Sequence, residues 1–109
     1  EKDMRTLNKC DCGGKIRPDV VWFGESLPIG TINEAFEAAH NCDLMFSIGT
    51  SAQIYPAAQL PIEAQSQGAF VIEINPEPTP FSPQADMSVR DDAGSAMPKF
   101  YEDFHAQLK

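Results

Sequence analysis

Residues 43–51 read Asp43-Leu44-Met45-Phe46-Ser47-Ile48-Gly49-Thr50-Ser51, a near-continuous apolar run of strand length that stops at a glycine and two hydroxyls. Runs of this kind are strands covered on both faces, the habit of parallel sheets. A second run, Ala69-Phe70-Val71-Ile72-Glu73-Ile74-Asn75, has the same character. Between the two, residues 56–67 read as a helix, with Pro56 suited to its first position and Gly68 to its end. Pro61 sits inside that segment and is expected to kink it or delay its start. On the N-terminal side, Thr31 to Asn41 has helical spacing, with Ile32, Ala35, Phe36 and Ala39 on one face. Thr31 and Glu34 there form the pattern of a capping box. On the C-terminal side, four prolines make residues 76–83 a loop, Asp86 to Val89 a short third strand, and Pro98 to Leu108 a closing helix. Strand, helix, strand, loop, strand, helix is half of a doubly wound α/β fold. In such a half the first strand is an edge, and its apolar cover is exposed.

The chain of 109 residues makes one small domain, and 42% hydrophobic with 22% charged residues is a globular composition. Eight Lys and Arg against 16 Asp and Glu give a formal charge of −8. That surface repels phosphate backbones, which argues against nucleic acid and anionic membrane as partners and favours a basic peptide. No apolar run approaches the ~18 residues of a membrane span, and no signal-peptide pattern is seen. Cys10, Cys12 and Cys42 are too few and too unevenly placed for a disulfide framework, so a reducing, cytoplasmic setting is expected. The first residue is Glu1 and a functional-looking segment begins almost at once, so an upstream segment is expected to be missing.

In an open α/β sheet, ligands bind beyond the carboxyl ends of the strands. Gly49 lets backbone approach a ligand there, and Thr50 and Ser51 offer hydroxyls for phosphate or ribose oxygens. Asn75 ends the second strand, where its amide can reach a ribose hydroxyl. An ordinary turn and an ordinary strand end are the alternative. Cys10 and Cys12 offer two thiolates where a structural zinc site wants four ligands, and a solvated loop with free thiols is the other reading. Cys42 reads as a small buried residue, His40 as a helix-end residue, and His105 as part of a polar helix face. Trp22 and Phe23 fit either a pocket wall or the core.

Taken together, Cys10-x-Cys12-Gly13-Gly14, then Arg17-Pro18-Asp19-Val20-Val21-Trp22-Phe23-Gly24-Glu25, then Gly49-Thr50-Ser51, Tyr55-Pro56-Ala57-Ala58 and Ile72-Glu73-Ile74-Asn75 closely resemble the sirtuins in order and spacing. The likeness runs from about Cys10 to Phe104, and the wording of residues 20–25 is similar to the bacterial and mitochondrial class III branch. The resemblance implies residues 18–109 as the C-terminal half of a Rossmann-like, doubly wound NAD-binding domain, and residues 1–17 as the remnant of a small zinc ribbon. It assigns NAD contacts to Gly49, Thr50 and Ser51, ribose contacts to Asn75, Pro76 and Glu77, and an adenine contact to Ala93, placed shortly before the last helix. An acyl-lysine peptide would lie as an added strand between Val21, Trp22, Phe23, Gly24 and Glu25 on one side and Gln53, Ile54 and Tyr55 on the other. Cys10 and Cys12 would be half of the structural zinc site.

The activity implied is NAD-dependent protein-lysine deacylation, with acetyl or succinyl as the group removed. The family's Gly-Ala-Gly-x-Ser phosphate loop, Gln-Asn-x-Asp segment, first cysteine pair and Tyr/Arg pair are not in this sequence. Its general-base His would lie upstream of Glu1, so the missing N-terminal half of the same protein is itself an expected partner. A non-catalytic nucleotide- or peptide-binding half-domain is the alternative, and a metal-binding ribbon piece a third.

Overall fold

The computed structural model describes residues 9–108, so the first eight residues of the ribbon remnant read from the sequence lie outside the described residues. Its elements are α1 (Ile29–Asn41), β1 (Leu44–Ile48), α2 (Leu60–Ser66) preceded by a 3₁₀ turn (Ala57–Gln59), β2 (Phe70–Ile74), β3 (Met87–Val89) and α3 (Ala93–Gln107). The three strands form one parallel sheet in the order β1-β2-β3. The register pairs Leu44 with Phe70 and Ile48 with Ile74, then Ile72 with Met87 and Ile74 with Val89.

Both faces of the sheet are covered, as the continuous apolar runs require. On one face Ala39 of α1 and Ala64 of α2 close on Val71, joined by Phe81 from the proline-rich loop and by Met45. On the other face Ala96, Met97 and Phe100 of α3 pack on Phe46, Ile72, Ile74 and Val89. Phe46 and Phe100 meet edge to face with centroids 5.6 Å apart, a favoured aromatic geometry. Among the described residues nothing pairs with the outer edge of β1, and Leu44 at that edge is 50% exposed. The expected α/β architecture with an open first strand is what is found.

Helix boundaries differ from the sequence reading in ways that have local causes. Helix α1 starts at Ile29, ahead of Thr31, and no side-chain cap bond forms. Pro28, with φ −59°, presets the first turn, and its carbonyl accepts from the Ile32 N–H at 3.1 Å. Thr31 and Glu34 therefore lie inside the helix and make no capping box. The predicted apolar face holds: Ile32, Ala35 and Phe36 are half-buried and Ala39 is buried. Pro61 does delay α2, which begins only after the 3₁₀ turn. Its missing N–H falls among the first-turn donors that have no helical partner. Gly68 closes α2 at φ +97°, a left-handed backbone that favours glycine.

Helix α3 starts at Ala93, five residues before Pro98. Asp92 is the reason: its carboxylate accepts from the Ser95 N–H and the Ser95 hydroxyl, each at 2.9 Å. Pro98 is carried inside the helix. Residues 17–25, predicted extended, form no ladder and end in a turn where the Glu25 N–H donates to the Trp22 carbonyl at 3.0 Å. No helix among the described residues is long and apolar enough to cross a membrane.

Candidate functional site

The parallel sheet delivers the carboxyl ends of all three strands to one side. Gly49, Thr50 and Ser51 leave β1 there, Asn75, Pro76 and Glu77 leave β2, and Ala93 opens α3 just after β3. Ala93 is thus the first helical residue rather than one ahead of the helix. The Gly49 N–H donates to the Ile74 carbonyl at 2.9 Å and the Asn75 N–H to the Val89 carbonyl at 3.1 Å, so the ladder runs to its last rung. Gly49 has φ +64°, and a Cβ there would meet nothing within 4 Å. The glycine serves the backbone conformation and leaves open space in front of the turn.

Asn75 ties two of these segments together. Its Nδ2 donates to the Thr50 carbonyl at 2.9 Å, and its Oδ1 accepts from the Glu77 N–H at 3.1 Å. The Thr50 hydroxyl in turn accepts from the Ala52 N–H at 3.2 Å. Asn75 and Thr50, two of the residues picked out in the sequence, therefore hold each other at the rim formed by the strand ends.

Beneath that rim lies a carboxylate that the sequence reading passed over. Glu73 is 1% exposed, in the centre of the sheet. It accepts from the Thr79 hydroxyl, from the Ser82 hydroxyl at 2.6 Å and from Arg90 Nη2 at 2.9 Å. Burial pushes its carboxyl up, but the hydrogen bonds from Ser82, Thr79 and Arg90, with the charge of Arg90, outweigh this and hold it below the ordinary value. The signal was present: an acidic residue in the middle of an apolar strand must find a cation.

A second neighbourhood is an open groove of about 990 Å³ between residues 20–27 and residues 54–57. Val21, Trp22, Phe23, Gly24, Glu25, Ile54 and Tyr55 all line it, whereas Gln53 does not. Phe23 is 99% exposed and Trp22 57%, so neither belongs to the core. Arg17 holds the near wall. Its Nη1 lies 2.6 Å from Glu25 Oε1, its Nη2 donates to the Val20 carbonyl at 2.9 Å, and its guanidinium stands 5.0 Å over the Trp22 ring. The Arg17 guanidinium also holds the Glu25 carboxyl below its ordinary value.

Cys10 and Cys12 sit in a tight turn closed by the Cys10 N–H on the Gly14 carbonyl at 2.9 Å and by an isolated Lys9–Lys15 bridge. Both thiols are exposed and free. The Cys12 backbone N–H, and after it the Cys12 thiol, bond the Cys10 sulfur and lower its pKa, which favours the thiolate a metal needs. This is the donor chemistry of half a zinc site; among the described residues no third Cys, His, Asp or Glu completes it. Cys42 is half-buried, donating to the Ala39 carbonyl at 3.3 Å. His40 pairs with Glu63 at 3.2 Å, and His105 lies against Tyr101 with centroids 4.3 Å apart. Neither histidine lines the groove.

The sequence profile of the Sir2 family matches residues 1–56, just over half of the 109 residues. The chain belongs to the Sir2 family. Among curated relatives, an "NAD-dependent protein deacylase" of Mycobacterium tuberculosis (strain H37Rv) is 53% identical over 100 residues, covering 92% of this chain and 42% of the relative. A protein of the same name from Aquifex aeolicus (strain VF5) is 46% identical over 95 residues, covering 86% of this chain and 40% of the relative. Among solved structures, a Sir2 homolog–NAD complex superposes with a TM-score of 0.88 at 41% identity, covering 98% of this chain and 42% of that one. Sir2Tm bound to a propionylated peptide gives a TM-score of 0.77 at 32% identity, covering 91% and 42%. This Sir2-family chain thus spans 42% and 40% of the length of these two curated relatives.

Proposed function

We propose that this Sir2-family chain forms one side of the active site of an NAD-dependent protein-lysine deacylase. The observation that carries the reading is the strand-end cluster. Gly49-Thr50-Ser51 and Asn75-Pro76-Glu77, joined by the Asn75–Thr50 bond, face open space at the side of a parallel sheet where ligands bind. Relatives named as NAD-dependent deacylases, and the likeness to a Sir2 homolog–NAD complex, support the same assignment.

Gly49, Thr50 and Ser51 would hold the phosphate-and-ribose part of NAD, Asn75, Pro76 and Glu77 its adenosine ribose, and the Ala93 backbone its adenine. When bound, NAD supplies the sugar that receives the acyl group. The groove walls Val21–Glu25 and Ile54–Tyr55 would take the acyl-lysine peptide as an added strand, with the aromatic faces of Trp22, Phe23 and Tyr55 excluding water from the acyl chain. Gln53 precedes this wall in the chain and stands outside the groove lining. The formal charge of −8 favours a basic, lysine-bearing segment.

Holding both reactants on neighbouring segments is the proximity part of catalysis. The general base and the remaining cofactor contacts are assigned to residues outside this sequence, in the N-terminal half of the same protein. Residues 1–17 are read as the second half of a structural zinc ribbon, with Cys10 and Cys12 as two of four ligands, and residues 18–109 as the half-sheet domain. Three free cysteines fit a reducing cytoplasm.

The test uses the protein expressed from its full coding sequence, incubated with acetyl-, propionyl- and succinyl-lysine peptides. NAD-dependent release of nicotinamide together with the free-lysine peptide, followed by mass spectrometry, is the expected result. Saturable NAD binding without turnover on any of these peptides would replace the enzyme reading with that of a binding module.

A further inference from the structure

Ser47, Glu73 and Ser88 sit side by side across the three strands, a polar row in a sheet that is otherwise apolar on that face. The row stands one residue short of the last paired residues, Ile48, Ile74 and Val89. Ser47 and Glu73 are buried, while Ser88 is exposed on the edge strand. A carboxylate at this depth is costly to bury, and both Glu73 oxygens have partners. The carboxylate is spent on the loop that follows β2. Thr79 and Ser82 both donate to it, and the Thr79 N–H donates to the Ser82 hydroxyl at 2.7 Å, which folds residues 79–82 down over Glu73.

Arg90 completes the arrangement. Its Nη2 reaches Glu73 Oε2 at 2.9 Å and the Ser82 hydroxyl at 2.7 Å. Its Nη1 donates to the Asn75 carbonyl at 3.2 Å and the Glu77 carbonyl at 3.5 Å. One guanidinium thus connects a buried carboxylate to the carbonyls at both ends of Asn75-Pro76-Glu77. We infer that Glu73 and Arg90 form a latch that fixes Asn75-Pro76-Glu77 in its nucleotide-binding shape, acting as positioning residues for the cofactor and not for the peptide. The inference rests on the reading of that segment as the ribose contact.

A carboxylate serving stability alone should be replaceable, with its cation, by apolar groups of similar volume at little cost. A latch is not replaceable in that way, because the carbonyls of Asn75 and Glu77 lose their donor. The groove for the peptide is built from residues 20–27 and 54–57 and contains no member of the latch. Peptide affinity therefore serves as the internal control.

The experiment takes the protein expressed from its full coding sequence and compares wild type with Glu73→Gln, with the double variant Glu73→Leu/Arg90→Met, and with the milder Ser82→Ala. Steady-state KM for NAD, KM for an acyl-lysine peptide, kcat and Tm are measured for each. Glu73→Gln is expected to raise the NAD KM about tenfold, with the peptide KM within about twofold of wild type. The double variant is expected to raise the NAD KM at least as much while its Tm stays near that of wild type. Ser82→Ala, a smaller change at a half-buried hydroxyl that leaves the Glu73–Arg90 pair in place, is expected to give about a threefold rise. A lowered Tm with an unchanged NAD KM in all three variants would make the network structural only and overturn the inference. Equal rises in both KM values would overturn it too. A wild type that neither binds NAD nor turns over would instead overturn the functional reading beneath it.

Discussion

Replacing Asn75 by alanine removes two hydrogen bonds at once: Nδ2 to the Thr50 carbonyl at 2.9 Å and the Glu77 N–H to Oδ1 at 3.1 Å. Each such bond is worth about 0.5–1.5 kcal/mol net. Their joint loss, about 1–3 kcal/mol, converts to roughly a five- to 150-fold weaker grip on any ligand that requires both segments in place. Both bonds are solvent-accessible, which favours the lower half of that range. The backbone ladder beneath, Gly49 to Ile74 and Asn75 to Val89, is untouched, so the fold should survive. The assay is calorimetric titration of the protein from its full coding sequence, first with NAD and then with an acyl-lysine peptide. Asn75→Asp sharpens it, since the aspartate keeps an acceptor for the Glu77 N–H but sets a carboxylate against the Thr50 carbonyl. Alanine and aspartate variants should both lose NAD affinity, aspartate at least as much, while peptide affinity stays within about twofold. An NAD affinity unchanged by Asn75→Ala would refute both the placement of the ribose and the idea that the two loops act together.

Arg17→Ala should loosen the Trp22–Glu25 turn by removing the ion pair, the Val20 bond and the guanidinium over Trp22. These are exposed contacts, so the expected rise in peptide KM is about threefold, with the NAD KM unchanged. Glu73 has its pKa held down in the fold, so the stability it contributes is fully present above its ordinary value of 4.5 and is lost as pH falls through the depressed folded value. Asp86, held down first by the Val71 N–H and then by Gln65, and Asp92, held down by Ser95, add to the same acid loss below their ordinary 3.8. Tm against pH should therefore fall on the acid side of 4.5, and Glu73→Gln should make that fall shallower; an unchanged slope would exclude Glu73 from the linkage. Cys10→Ser and Cys12→Ser in the protein from its full coding sequence should each lower bound zinc, measured by elemental analysis, and full zinc content in both would remove the ribbon assignment.

The parts of the fold legible in the sequence were those decided by local hydrophobic pattern. β1 and β2 are continuous apolar runs, and a run buried on both faces admits few alternatives. The helix starts were misread wherever two local signals competed. At α1, Pro28 sets the first turn before the Thr31–Glu34 pair can act, because a fixed φ operates without needing a partner. At α3, the closing helix is expected to start at Pro98, yet Asp92 caps it six residues earlier by accepting from Ser95, and a helix with a capped start tolerates one missing N–H inside. The polar network was invisible for a different reason. Glu73 finds Thr79, Ser82 and Arg90 at separations of six, nine and 17 residues, contacts that only the tertiary fold creates. Arg17 reaching Glu25 across eight residues is of the same kind.

The two candidate sites share one stretch of chain, and that bears on how they could work together. Gly49, Thr50 and Ser51 stand at the strand ends, while Ile54, Tyr55 and Pro56 already wall the groove. Between them Ala52 holds φ +53°, a left-handed backbone that costs a non-glycine residue about 1 kcal/mol. The Thr50 hydroxyl accepts from the Ala52 N–H, and the Thr50 carbonyl accepts from Asn75 Nδ2, so this costly bend is tied back to the strand ends. A reaction that joins an acyl group on a peptide to a sugar on a nucleotide needs both held in one frame to within fractions of an ångström. A continuous segment, bent once and braced at the bend, supplies that frame without help from a distant element. The Glu73–Arg90 pair fixes the other end of the same brace, since Arg90 bonds the carbonyl of the residue whose side chain holds Thr50. Order therefore runs from a buried carboxylate, through Asn75, to Thr50 at the strand end.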